Sequence, residues 1–419
     1  MKSNLLKAKL NHPLIIGLTI GCLAFCIYTS MYAIRKPFTA LVYSQDILGY
    51  GIKSWMVLAQ LLGYTLSKFV GIKWLGELNR NHRFRMIVLI LTSATIPLLL
   101  MGFSNCKYWP IWMLLNGFPL GLIWGIVFSY IEGRNLTELI GAILACTFIF
   151  SSGFVKSIAI LLQENHFSLE FIPFYVAIIF LIPAIIFSYL LEKMPTPSNE
   201  EILANAPRTA LTKSERKAIN KKYFGFLFAI ILLYGFLTLL RDIRDNFGAE
   251  IMSGLHIYNA KNLTQLESII TIIMLVSIPF ISRVKNHYNA ILTTIVATFL
   301  GGLICISTSI LFKNQLIDGM GLLLFSGGGI YVGYILINIS IMNRLIGFNG
   351  TPANSGFLVY MADSAGYLCS LFISGFALFS KKGELPWLNW FQNLIFFGGI
   401  IVMLFAVIAF YQIKKHKTK

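Results

Sequence analysis

Arg35, Lys36, Lys68, Lys156, Arg241, Asp242, Glu267 and Asp363 all fall within or close to the ends of long apolar runs. An ionised side chain at the centre of a bilayer costs about 2.5–3.5 kcal/mol on insertion scales, so charges that persist there face a cavity or a partner. Two of these residues are arginines in matching settings. Tyr28 precedes Arg35 by seven residues and Tyr234 precedes Arg241 by seven, a spacing that returns to nearly the same helix face. Either both arginines snorkel to the outer interface, or their guanidinium groups converge on a shared vestibule, where planar forks suit phosphate or carboxylate. Convergence is the expectation, with Tyr28 and Tyr32 on the face of Arg35 as hydroxyl donors to a bound anion or as packing residues. Lys68 and Asp363 lie near mid-depth of their runs and read as an ion pair or as a coupling pair for substrate or protons. Lys156 and Glu267 sit near the outer ends of theirs and are expected to form an outer-gate salt bridge, with snorkelling as the alternative. Asn116, Trp124 and Asn338 are candidate cavity liners.

No His/Asp, Ser/His or metal constellation appears in the polar segments, so no catalytic residue, metal or cofactor is expected and an enzyme is the weakest reading. The six cysteines include no CxxC pair and read as reduced packing residues.

The elements that must hold these groups follow from composition. Of 419 residues, 57% are hydrophobic and only 12% charged, too apolar for a soluble domain that covers its surface with charge. The net charge of +17 sits mostly in short segments between apolar runs, where membrane topology and anionic lipid account for it and nucleic acid is the weaker partner. A spanning helix needs roughly 20 apolar residues, and twelve spans are expected, near 14–42, 54–74, 84–105, 108–131, 138–162, 171–191, 223–250, 263–282, 288–312, 317–342, 353–379 and 387–412. The first of them lacks a small-residue cleavage site and is read as a span rather than a secretion signal. The Lys and Arg bias puts both termini in the cytoplasm of a bacterial inner membrane, in a multi-pass chain taken to be a monomer in the lipid bilayer.

The segment 192–222 is the long polar stretch that divides the chain into an N-terminal half, 1–191, and a C-terminal half, 223–419, and its TKSER run suits the start of a short helix. Three echoes between the halves suggest an internal repeat: the Tyr/Arg spacing, Gly121-x-x-x-Gly125 against Gly329-x-x-x-Gly333, and Ser151-Ser-Gly-Phe154 against Ser364-Ala-Gly-Tyr367.

Segment 28–40, YTSMYAIRKPFTA, resembles the first-span Tyr-x-x-Arg-Lys-x-Phe signature of the organophosphate:phosphate antiporters of the major facilitator superfamily. Segment 63–70, GYTLSKFV, is similar to their second-span Tyr-Gly-x-Ser-Lys-Phe motif, and LLRDIRDNF resembles the segment carrying their second phosphate-binding arginine. The resemblance implies an all-α fold of twelve helices in two pseudo-symmetric halves, with spans two and eleven, and five and eight, meeting between them. It implies Arg35 and Arg241 as a phosphate clamp and Lys68 as an auxiliary cation. The sequence departs from that pattern at Phe150, where the relatives carry a histidine, at Asp242 and Asp245 beside Arg241, and in the loop 71–85.

The function expected from these readings is secondary transport of a small anionic, phosphorylated metabolite by alternating access, in exchange for phosphate. The alternatives are a proton-coupled carrier of another small solute that uses Asp363, and a membrane sensor that binds without turnover.

Overall fold

The computed structural model describes residues 13–74, 82–131, 134, 136–197, 212–350, 356–380 and 386–416. Twelve long helical segments run through them. Those of the first half are Pro13–Arg35, Ile52–Trp74, Arg83–Phe103, Cys106–Phe128, Leu139–Glu164 and Ile172–Glu192. Those of the second half are Phe224–Asn246, Ala260–Ser282, His287–Lys313, Gly319–Asn349, Gly356–Ser380 and Trp387–Lys414. Nine of the described helices are long and apolar enough to cross a membrane on composition alone. Spans two, eight and eleven, which carry Lys68, Glu267 and Asp363, are the remainder. The chain is an integral, multi-pass membrane protein.

Within each half the packing follows the same pattern. Span one packs on spans five and six, as seven does on eleven and twelve; span four packs on two and three, as ten does on eight and nine; and three on six answers nine on twelve. Across the halves, span two meets eleven and span five meets eight. Small residues permit the closest approaches. A Cβ on Gly63 would lie 2.3 Å from the Leu114 carbonyl oxygen and one on Gly117 2.3 Å from that of Gln60, so spans two and four touch backbone to backbone. The glycine echo does not extend to partners: Gly121 lies on span two at Ser67, whereas Gly329 lies on span nine at Gly301.

Several spans are interrupted, and the interruptions set the site. Span one stops at Arg35 because Pro37 has no N–H to continue the ladder. A 3-10 turn, Pro37–Ala40, follows, and then a hairpin in which Asp46–Ile47 pairs with Tyr50–Gly51 around Leu48 and Gly49, both at positive φ. Span four turns at Gly121 and span five at Cys146. Span ten contains a π turn, Ile337–Ile341, a feature that re-aims side chains and occurs often at functional sites. In the linker, helix Lys213–Lys222 starts on a Thr212/Glu215 capping box. Residues 198–211 and 75–81, the middle of the expected linker and the middle of the 71–85 loop, lie outside the described residues.

Candidate functional site at the junction of the halves

The break at Pro37 leaves carbonyls at the end of span one without helical donors. Side chains from neighbouring spans take them up. Asn116 Nδ2 donates to the Ile34 carbonyl at 3.1 Å and to that of Ala94 at 2.8 Å, while Gln60 Nε2 donates to the Arg35 carbonyl at 2.9 Å and to Asn116 Oδ1 at 2.7 Å. Asn116 is therefore corrected from cavity liner to bracket: it is fully buried and its amide is committed to backbone. The bracket fixes the backbone at Arg35.

The Arg35 side chain itself is 4% exposed. Its guanidinium carbon lies 3.9 Å from the centre of the Tyr64 ring, a cation–π contact. Among the described residues it enters no ion pair and donates no hydrogen bond, and its Nε is shielded and unpartnered. Arg241, equally buried, is occupied instead. Its Nη2 and Nε approach Asp242 Oδ1 at 2.6 and 3.2 Å, and its Nη1 donates to the Tyr334 hydroxyl. The Arg241 guanidinium carbon lies 4.4 Å from the centre of the Tyr334 ring and 5.9 Å from that of Tyr367, which faces Tyr64 at 4.9 Å, so the two buried guanidinium groups reach one cluster of rings rather than opposite lipids. Asp242 Oδ2 is buried without a donor among the described residues.

Lys68 and Asp363 meet at 3.2 Å, joining span two to span eleven. The carboxylate also accepts from the Tyr234 hydroxyl at 2.7 Å and from Asn338 Nδ2 at 3.3 Å, the latter presented by the π turn. Aromatic rings fill the space between. Tyr28 packs edge-on to Trp124 at 5.2 Å and to Tyr32 at 5.8 Å, Tyr64 faces Tyr367 at 4.9 Å, and Tyr234 stacks on Tyr334 at 5.1 Å. Tyr64 falls in the GYTLSKFV motif and Tyr367 in the repeat echo, but neither they nor Tyr334 carry a site role in the sequence, because an aromatic in an apolar run gives no periodic signal that separates a site ring from a core ring.

Toward the face opposite the termini, the expected Lys156–Glu267 bridge is corrected. Spans five and eight do pack together there, and a Cβ on Gly153 would meet Glu267 Cγ at 2.6 Å. The end of span seven intervenes, however, and supplies each charge with a closer partner. Lys156 Nζ sits 2.6 Å from Asp245 Oδ1, and Glu267 Oε1 accepts from Arg244 Nη1 at 2.7 Å. Asp245 is also held by Lys36 at 2.5 Å and by the Ser152 hydroxyl, while Lys36 donates to Asn246 Oδ1 at 2.7 Å. Lys53 pairs with Glu250 at 2.6 Å, and the Tyr258 hydroxyl donates to the Ala40 carbonyl. These contacts tie the N-terminal half to the C-terminal half around one carboxylate. The sequence signal was present in the RDIRDN run, but helical spacing alone does not say which acid faces across the junction.

Twelve helices in two similarly packed halves, with charges sequestered at their junction, define a membrane protein of the major facilitator fold. Solved structures agree. A crystal structure of a D-xylose-proton symporter matches with a TM-score of 0.61 at 15% identity, covering 94% of this chain and 97% of that one. The xylose transporter XylE from E. coli matches in a partially occluded inward-open conformation, with a TM-score of 0.59 at 13% identity over 94% and 97% of the two chains. Its inward-open conformation matches with a TM-score of 0.59 at 14% identity over 95% and 96%. Among curated proteins no sequence matches. Residues 37–416 match the model of a family of unknown function, DUF5690, and the chain belongs to that family.

Proposed function

We propose that this protein is a secondary transporter that moves a small organic anion across the membrane by alternating access, with Arg35 as the principal anion-binding group. The observation that carries the reading is the buried Arg35 guanidinium, which has no protein counter-ion or acceptor among the described residues. A buried charge is normally paired or neutralised, so one left vacant at the junction of two rigid halves is suited to an exchangeable partner. Arg241 approaches Tyr367, the ring that faces Tyr64, from the other half, which lets a bound anion bias how the halves close. The Asp245 latch closes the face opposite the termini and must break for a ligand to enter from that side. The resemblance to organophosphate:phosphate antiporters points to phosphorylated substrates and exchange as one narrower form of this activity, against which the pairing of Arg241 with Asp242 counts.

Proteoliposomes loaded with phosphate, glycerol 3-phosphate or gluconate provide the test. Exchange of at least one of these anions is expected, with a loss of about 100-fold in Arg35→Lys, because a point charge does not replace a bidentate fork. Full uptake by Arg35→Lys would sink the assignment, and binding without turnover would point to a sensor.

A second reading, proton-coupled transport, is favoured by Asp363, a buried carboxylate bound to Lys68 at 3.2 Å in the span where a carboxylate–lysine exchange of partners could track protonation. The fold likeness to a structure titled as a D-xylose-proton symporter is compatible with it. Uptake that follows an imposed pH gradient and vanishes in Asp363→Asn would select it; pH-independent exchange would remove it.

A further inference from the structure

The vacant groups at the junction define a ligand more narrowly than charge sign does, and this inference rests on the anion reading of the same site. Among the described residues the Arg35 guanidinium, whose Nε is shielded, meets the face of the Tyr64 ring but has no acceptor, and Asp242 Oδ2 has no donor. Arg35 and Asp242 are buried, at 4% and 2% exposure, and one pair of rings joins them: Arg35 lies 3.9 Å from the centre of Tyr64, Tyr64 faces Tyr367 at 4.9 Å, and Arg241, which holds Asp242, lies 5.9 Å from the centre of Tyr367. The other charges are engaged. Arg241 chelates Asp242 Oδ1 and meets the Tyr334 hydroxyl, Lys68 is held by Asp363, and Lys36 and Lys156 are held by Asp245 and Asn246.

A phosphate ester dianion requires more cation than one guanidinium supplies. Recruiting Arg241 to it means breaking a buried ion pair and leaving Asp242 uncompensated, which is strongly unfavourable. A neutral sugar leaves Arg35 unbalanced. A carboxylate matches one guanidinium edge with two oxygens and one charge. Asp242 Oδ2 then calls for a hydrogen-bond donor on the same ligand, and because Arg241 is adjacent, a neutral hydroxyl fits where an ammonium would meet a like charge. The rings of Tyr64, beneath the Arg35 guanidinium, and of Tyr367, 4.9 Å from Tyr64, are placed to cover the body of such a molecule.

We propose that the site takes a hydroxy-carboxylate monoanion, its carboxylate on Arg35 and one hydroxyl donating to Asp242 Oδ2. Three probes with similar bodies and different charge test it on the full chain in detergent by thermal unfolding: gluconate, glucose and glucose 6-phosphate at equal concentration. Gluconate is expected to raise Tm by several degrees, as a ligand binding only the folded state does, and the other two to raise it less. The gluconate shift is expected to disappear in Arg35→Gln; should that variant aggregate, the comparison of the three probes on the unaltered chain decides alone. A shift with glucose 6-phosphate that equals or exceeds that of gluconate overturns the monocarboxylate assignment and leaves the anion reading intact. A glucose shift equal to that of gluconate and retained in Arg35→Gln overturns both. No gluconate shift overturns the proposal.

Discussion

Arg35 and Arg241 occupy equivalent places in two halves that pack alike, yet one guanidinium is vacant and the other is saturated. The difference comes from one neighbour. After Arg241 the chain places Asp242 on a continuing helix, where its carboxylate folds back onto the guanidinium. After Arg35 it places Lys36 and then Pro37, which ends the helix and sends the next side chain to Asp245 instead. Two similar frames thus carry different neighbours beside the matching arginine: one guanidinium has no acceptor among the described residues, and the other is braced within the protein.

Stability measurements provide the sharpest way to break this contrast. Arg241→Met leaves Asp242 as an uncompensated buried charge and is expected to cost about 3–5 kcal/mol. Arg35→Met removes a charge with no protein counter-ion and is expected to be neutral or stabilising in the empty protein. Equal losses in denaturant unfolding of the two variants would erase the distinction between vacant and braced.

The latch offers a smaller but directional test. Asp245 draws Lys36 and Lys156 of one half onto span seven of the other, so Asp245→Asn is expected to favour opening on the face opposite the termini. In that background, a cysteine at Thr39, buried in the unaltered chain, is expected to react about tenfold faster with a maleimide applied from that face, a shift of roughly 1.4 kcal/mol in the opening equilibrium. An unchanged rate would show that Asp245 does not hold the halves closed.

The last test concerns the mid-depth pair. Lys68→Met and Asp363→Asn each strand a partner, whereas the double variant removes both charges, so a coupling energy of about 0.5–3 kcal/mol is expected from the double-mutant cycle. Additive losses would mean that Tyr234 and Asn338, rather than Lys68, hold Asp363.

The sequence by itself determined the scaffold. Run length and apolarity fix spans because every backbone amide in lipid must bond within its own helix, and the Tyr/Arg spacing marked Arg35 and Arg241 because helical periodicity is local. Lys68 and Asp363 were legible as deep charges for the same reason. Partner choice was not legible. Lys156 and Glu267 lie on facing spans as expected, yet the end of span seven separates them into pairs with Asp245 and Arg244. Asn116 reads as a polar residue in an apolar run, but only the break at Pro37 in another span explains why its amide is spent on carbonyls. Likewise Tyr64, Tyr334 and Tyr367 come beside the arginines only because spans two, ten and eleven pack against spans one and seven. Depth in the membrane is a property of one helix and can be read along the chain; which charge neutralises which depends on distances of a few ångströms between helices, and those are set when the halves pack.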